Sequence, residues 1–170
     1  MEEKTQNRKS GNAQEKLGAL DALKKMFKKL GVGLDELEDG RLGFHYGDKD
    51  QDEYLVVIAS NDNIMINILD YGWYELNKWD IEAVADIQKK INNVNFGSRA
   101  KVVYTYNDED KMILTSIISM PFSEDIPGLE SYFNAQLEAL LNTHLIIETP
   151  ADEENVNIDN GENQEKEGEK

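Results

Sequence analysis

Cysteine is absent from this chain of 170 residues, and histidine occurs only twice. The lack of cysteine excludes disulfides and thiol catalysis, and it fits an intracellular setting. No apolar run approaches the roughly 20 residues that a helix needs to span a bilayer. The first ten residues are polar and lack the apolar centre of a secretory signal. We therefore expect a cytoplasmic protein that does not act at membranes.

Positive charge is also scarce. Lysine and arginine total 18 against 34 aspartates and glutamates, which gives a net charge of -16. The acidic excess extends through the body of the chain as well as its C-terminal tail. Such a surface repels phosphate backbones, so nucleic acid is not an expected partner.

Composition divides the chain into three parts. Residues 1–13 are polar and without periodicity, which predicts a flexible arm. Residues 14–149 are long enough to bury a core and form the predicted domain. Residues 150–170 are acidic and nearly devoid of apolar side chains, so a disordered tail is expected. The tail would act as a solubilising segment or, alternatively, as a partner-binding segment.

Hydrophobic spacing within the domain predicts the element order αβββαββα. Apolar residues recur every three or four positions in three segments and alternate in five others. The predicted helices cover residues 14–30, a segment after the N-cap Asp80, and a segment from about Pro127 to between Asn142 and Glu148. The predicted strands are 41–46, 54–59, 64–70, 99–106 and 112–120. These elements predict a two-layer α+β domain with a five-stranded antiparallel sheet and helices packed mainly on one face.

The sequence contains no strong catalytic, metal-binding or phosphate-binding motif. No activated nucleophile is recognisable, and neither His45 nor His144 has a second ligand at metal spacing. The segment Asp48-Lys-Asp-Gln-Asp52 opens like a calcium loop, but its sixth position is Glu53 instead of glycine. Gly31 and Gly33 follow a helix, whereas a phosphate-binding loop precedes one. The sequence thus predicts no catalytic residue, no cofactor and no metal.

Both tryptophans lie in a short aromatic stretch between the third strand and the second helix. Such residues close a core, which is the favoured interpretation here, or they serve as interaction hot spots. Apolar residues on the second face of the sheet would extend a partner surface, because something must cover them. The candidate partner-binding residues are Met65, Leu69, Trp73, Tyr74, Trp79, Ile113 and Ile117.

Several segments resemble the YbjN-type family of small bacterial proteins. They are Leu30-Gly-Val-Gly33, Gly40-Arg-Leu-Gly-Phe-His-Tyr-Gly47, Ile91-Asn-Asn-Val-Asn95 and the amphipathic last helix. That family is labelled a sensory-transduction regulator and shares its fold with type III secretion chaperones. The resemblance implies no cofactor and no active site. It also implies a homodimer formed through the second helix and neighbouring strands, and capture of an extended protein segment.

These observations predict a non-enzymatic protein-binding module, chaperone-like or regulatory, that uses apolar surface on the sheet and helices. Two alternatives stay open. One is a small enzyme with a carboxylate or tyrosine site in a cleft. The other is an adaptor that acts through its acidic tail.

Overall fold

The computed structural model describes residues 18–47, 52–60 and 62–149. The predicted arm, the predicted tail, and Asp48 and Asp50 of the acidic turn lie outside these residues. The described part contains three helices and one antiparallel six-stranded sheet, ordered β1-β2-β3-β4-β6-β5. The elements are α1 (Ala19–Leu30), β1 (Asp35–Glu36), β2 (Leu42–Tyr46), β3 (Glu53–Ala59), β4 (Met65–Asn77), α2 (Ile81–Gly97), β5 (Lys101–Tyr106), β6 (Lys111–Pro121) and α3 (Leu129–Glu148).

The α+β class and the packing of the helices on one face of the sheet are confirmed. The strand count differs, because the described residues form six strands where five were predicted. The additional strand, β1, is two residues long, and Asp35 pairs with Gly43 of β2. Both of its residues are exposed, so it carries no alternation of apolar and polar side chains that a sequence pattern would reveal.

Strand β4 runs seven residues beyond its predicted end at Asp70. Its pairing with β6 shifts between Tyr71 and Tyr74, where Gly72 has a φ of 68°. Glycine adopts this left-handed conformation without the steric cost that a Cβ would impose, so the strand bulges and continues. The aromatic stretch, predicted to lie in a connection, is therefore mostly part of the strand.

Capping residues mark two of the helix ends. The Asp80 side chain accepts a hydrogen bond from the Ala83 amide at 3.2 Å, which confirms it as the N-cap of α2. Gly31, in a left-handed conformation, caps the C-terminus of α1. Helix α3 begins at Leu129, two residues beyond Pro127. In the described part of the chain, no helix is both long and apolar enough to cross a membrane.

The core consists of two apolar clusters with a polar seam between them. The first cluster holds α1 and the first half of α3 against β2, β3, β4 and β6. The second holds α2 and the last turn of α3 against β5 and β6. We define the polar seam as Asp70, Ser116, Thr143 and His144. Ser116 separates the two clusters along β6, and Thr143 separates them along α3. The seam therefore places polar side chains in the interior, between the two apolar clusters.

Candidate functional site

One candidate site is the sheet face that points away from the helices, which we call the outer face. Its central row runs across four strands, because Val56 pairs with Gly43 and Leu69, and Leu69 pairs with Ile117. Val56 and Leu69 are buried by their neighbours, while Ile117 is half-buried. Ile58, Met65 and Ile113, also half-buried, extend this apolar row on the same face. No described helix covers it.

Polar and aromatic side chains border the outer face. Tyr54 lies across Gly43, where an added Cβ would come within 1.9 Å of the tyrosine oxygen. Its hydroxyl then reaches the carboxylate of Asp35 at 3.2 Å. On another side, Ser119 donates to Asn67 at 2.6 Å. The result is an apolar centre with a polar rim, which is the anatomy of many protein interfaces.

The predicted partner-binding residues fall in three places. Met65, Leu69, Ile113 and Ile117 lie together on the outer face. Trp73 and Tyr74 follow the bulge and pack on the helix-covered side, against the second apolar cluster. Trp79 lies alone in the turn before α2 and is 68% exposed. The structure therefore brings four of the seven residues into one surface.

The exposed Trp79 is held by two charged neighbours. Its Nε1 donates to Asp110 at 3.2 Å, and the ammonium of Lys78 lies 4.9 Å from the ring centroid. Lys78 also forms an ion pair with Asp110. The hydrogen bonds from Lys78 and Trp79 lower the pKa of the Asp110 carboxyl below its ordinary value. These contacts account for the position of Trp79 without any partner.

A second candidate site is the acid–histidine cluster, which we define as Glu53, Asp70 and His144. They lie on β3, β4 and α3, and one ligand atom of each lies within 4.8 Å of the others. His144 Nε2 is 3.0 Å from Asp70 Oδ2, and neither atom has another hydrogen-bond partner among the described residues. Asp70 is only 3% exposed. A buried carboxylate thus meets an imidazole at the edge of the polar seam.

The cluster opens to solvent through a cleft of about 440 Å³. Its lining includes Glu53, His144, Glu148 and Trp73, whose ring stacks on the imidazole at 3.9 Å and 19°. Burial and, next, the charge of Asp70 raise the pKa of the Glu53 carboxyl, although His144 opposes them. The site combines two close carboxylates with one imidazole in a partly enclosed space.

Sequence analysis did not find this cluster, because its members are far apart along the chain. Two signals were nevertheless present. Asp70 follows Ile66 and Ile68 at alternate positions of β4, so it lies on the same inward face and its carboxylate is buried. Glu148 follows His144 by four residues, which places both on one side of a helix. The pair had not been recognised as a possible second ligand for His144, and Glu148 lines the same cleft.

A third surface lies at the end of the sheet formed by β5. The side chain of Asn95 on α2 makes hydrogen bonds of 2.7 and 2.8 Å with both backbone polar groups of Val102. Those groups therefore point away from β6, and the backbone groups of Tyr104 and Tyr106 share this direction. The two tyrosines are 40% and 50% exposed, and β5 is the last strand in the sheet order. This edge is available to another chain.

These features define an α+β protein whose helices cover one face of an open antiparallel sheet. Two solved structures share the fold. YbjN from E. coli, described as a candidate transcription regulator, is 17% identical with a TM-score of 0.50, and the match covers 79% of this chain and 93% of YbjN. An uncharacterized protein from Methanothermobacter thermautotrophicus is 11% identical with a TM-score of 0.51, covering 76% and 93% of the two chains.

These identities are low, so the likeness concerns the fold. It confirms the YbjN-type fold predicted from the sequence. The sequence matches none of the protein-family models and none of the curated proteins with which it was compared.

Proposed function

We propose that this chain is a non-enzymatic protein-binding module, chaperone-like or regulatory, that receives a partner segment on the outer face. The observation that carries the proposal is the apolar row on a face that none of the described helices covers. The half-buried Met65, Ile113 and Ile117 offer their outward surface to a partner, while Leu69 and Val56 form the floor between them. When a partner covers apolar surface on the second face of a sheet, that surface leaves water and the free energy falls, which favours binding.

Charge indicates the kind of segment that fits. The chain has a net charge of -16, so an acidic partner would be repelled. An apolar segment with basic flanks complements both the centre of the outer face and the field around it. A regulatory role is supported by YbjN, which shares the fold and is described as a candidate transcription regulator. Direct contact with DNA does not fit the acidic surface.

Capture from a native lysate tests the outer face. Ile117→Lys places a charge in the apolar row, and we expect it to abolish retention of the partner. Leu30→Lys is the matched control, because Leu30 is 41% exposed on α1, which packs on the opposite face of the sheet. Equal retention by both variants would contradict the proposal. A chain truncated after residue 149 tests the adaptor alternative, since an adaptor that acts through its tail would lose the partner.

We also propose that two copies associate through the β5 edge and α2. The open backbone of Tyr104 and Tyr106 permits antiparallel pairing with a second β5. We expect Tyr106→Lys to shift the sedimentation profile from dimer to monomer. Tyr71→Lys is the control, because Tyr71 is also 50% exposed but lies on the outer face. A wild-type protein that sediments only as a monomer at high concentration would refute this part.

The acid–histidine cluster favours a second candidate function, an enzyme with a carboxylate site. The supporting observation is the close approach of the buried Asp70 to Glu53, which lines the cleft and whose pKa is raised by burial. A panel of simple ester and phosphoester substrates tests it. Turnover that disappears in Glu53→Gln would establish the enzyme, and turnover unchanged in that variant would assign the activity to a contaminant.

A further inference from the structure

We propose that Glu53, Asp70 and His144 bind one divalent transition-metal ion, with zinc as the representative probe. This proposal replaces the expectation from sequence that no metal is bound, and it is independent of partner binding on the outer face. The three side chains converge from β3, β4 and α3, and a ligand atom of each lies within 4.8 Å of the others. Three elements that are distant in sequence thus present donors to a single point.

The buried carboxylate is the observation that points to a cation. Asp70 is 3% exposed, and its Oδ2 has no hydrogen-bond partner among the described residues beyond the approach of His144. Taking an ionised carboxylate out of water is costly unless positive charge or several donors replace the lost solvation. One imidazole supplies at most one positive charge, whereas Glu53 brings a second carboxylate to the same place.

Among the described residues, those that line the cleft do not supply the missing positive charge. Glu53, Trp73, Leu141, Asn142, His144, Leu145 and Glu148 line the cleft in the described part of the chain. None of these residues is a lysine or an arginine. Glu148, one helical turn after His144, adds a third carboxylate near the mouth. A divalent cation would balance this excess of negative charge more completely than the imidazole alone.

The donor set and spacing fit zinc-like ions. Zinc accepts one imidazole nitrogen and carboxylate oxygens at about 2.0–2.2 Å, with three protein ligands leaving a fourth position open. Two ligands of such a tetrahedral ion lie about 3.4 Å apart. The 3.0 Å between His144 Nε2 and Asp70 Oδ2 is close to that separation. Small rotations of the side chains would therefore admit the ion between them.

Trp73 acts as a positioning residue for the ligand set. Its ring lies parallel to the imidazole, at 3.9 Å between centroids and 19° between planes. The stack restricts rotation of His144 and holds the Nε2 edge toward Asp70. A ligand fixed before binding loses less conformational freedom when the metal arrives. The β4 bulge at Gly72, which turns Trp73 toward the helices, thereby contributes to the site.

Titration of the full-length, chelator-treated protein with zinc sulfate tests the proposal. We expect one equivalent to bind by calorimetry, with a rise in the unfolding temperature. His144→Gln and Asp70→Asn should each weaken the affinity by more than about 100-fold, since loss of a ligand exceeds the 10–100-fold effect of a supporting residue. His45→Gln is the matched control, because His45 also lies 2.7 Å from an acid, Asp52, but its side chain is 60% exposed.

A second measurement removes dependence on the folding of the variants. The wild-type chain has two histidines, so their imidazole nitrogen resonances are readily distinguished. Zinc should shift the His144 resonances at one equivalent and leave those of His45 unchanged. The result that overturns the proposal is binding that is absent, equal at the two histidines, or retained in full by folded His144→Gln protein. Asp70 and His144 would then form an ion pair only.

Discussion

The hydrogen bond between Ser116 and Thr143 makes a sharp test of how the polar seam contributes to stability. Both residues have 0% exposure, and their hydroxyl oxygens lie 2.6 Å apart. Thr143 Oγ1 also donates to the Leu140 carbonyl at 2.7 Å. Because Thr143 has a single hydroxyl proton, Ser116 Oγ is the donor and Thr143 Oγ1 the acceptor in their shared bond. Thr143 is the only partner that the described residues show for the Ser116 side chain. The two hydroxyls are therefore not equivalent, although they share one bond.

This asymmetry predicts different costs for two conservative substitutions. Thr143→Val preserves shape but leaves the Ser116 hydroxyl buried and unpaired, so we expect a loss of about 1–3 kcal/mol in the free energy of unfolding. Ser116→Ala leaves Thr143 with the Leu140 carbonyl as acceptor, so its cost should be only about 0.5–1.5 kcal/mol. The double variant removes both hydroxyls and should lose less than the sum of the single losses.

Urea unfolding followed by tryptophan fluorescence measures all four proteins, and an unchanged slope with urea would show that the unfolded state is unaffected. Costs that add within about 0.3–0.5 kcal/mol would mean that the two hydroxyls do not interact. A larger cost for Ser116→Ala than for Thr143→Val would also refute this explanation of the seam.

Three further predictions follow from contacts elsewhere. Phe44→Ala removes a ring that is 2% exposed and packs edge-to-face on Phe27 at 5.0 Å, so thermal or urea unfolding should show a loss of about 3–5 kcal/mol. Asn95→Ala frees both backbone groups of Val102 and should accelerate exchange of the Val102 amide, whereas unchanged exchange would show that the edge is protected otherwise. In chelator-treated protein, Glu53→Gln should raise stability at pH 7, because the native pKa of Glu53 lies above the ordinary 4.5 and its ionisation opposes folding. The difference should vanish below about pH 4.5, and a variant less stable than wild type at pH 7 would contradict the sign.

Much of the fold follows from local patterns. The stripe of Leu23 and Phe27 predicted α1, and Asp80 predicted the start of α2, because helix periodicity and capping depend on nearby residues. Alternation in β4 also placed Met65 and Leu69 on the face opposite to the helices. Neighbouring residues are sufficient for such predictions, because each element repeats its own side-chain period.

The features that sequence analysis missed depend on contacts between distant residues. Strand β1 is recognisable only through its pairing with β2, and the end of β4 depended on whether Gly72 formed a turn or a bulge. The acid–histidine cluster needed the register of β3 on β4 and the position of α3 above them. A single sequence carries no direct signal for such convergence. Strand alternation nevertheless places Asp70 on the buried face of β4, which predicts a buried carboxylate.

Site-specific photo-crosslinking in the source cell tests the proposed function most directly. A photoreactive phenylalanine analogue at Ile117 probes the outer face, and the same analogue at the exposed Glu138 of α3 probes the helix side. We predict a crosslink to a foreign protein from position 117 and none from position 138. A partner crosslinked from α3 while the outer face stays silent would contradict the claim that the uncovered sheet receives the partner.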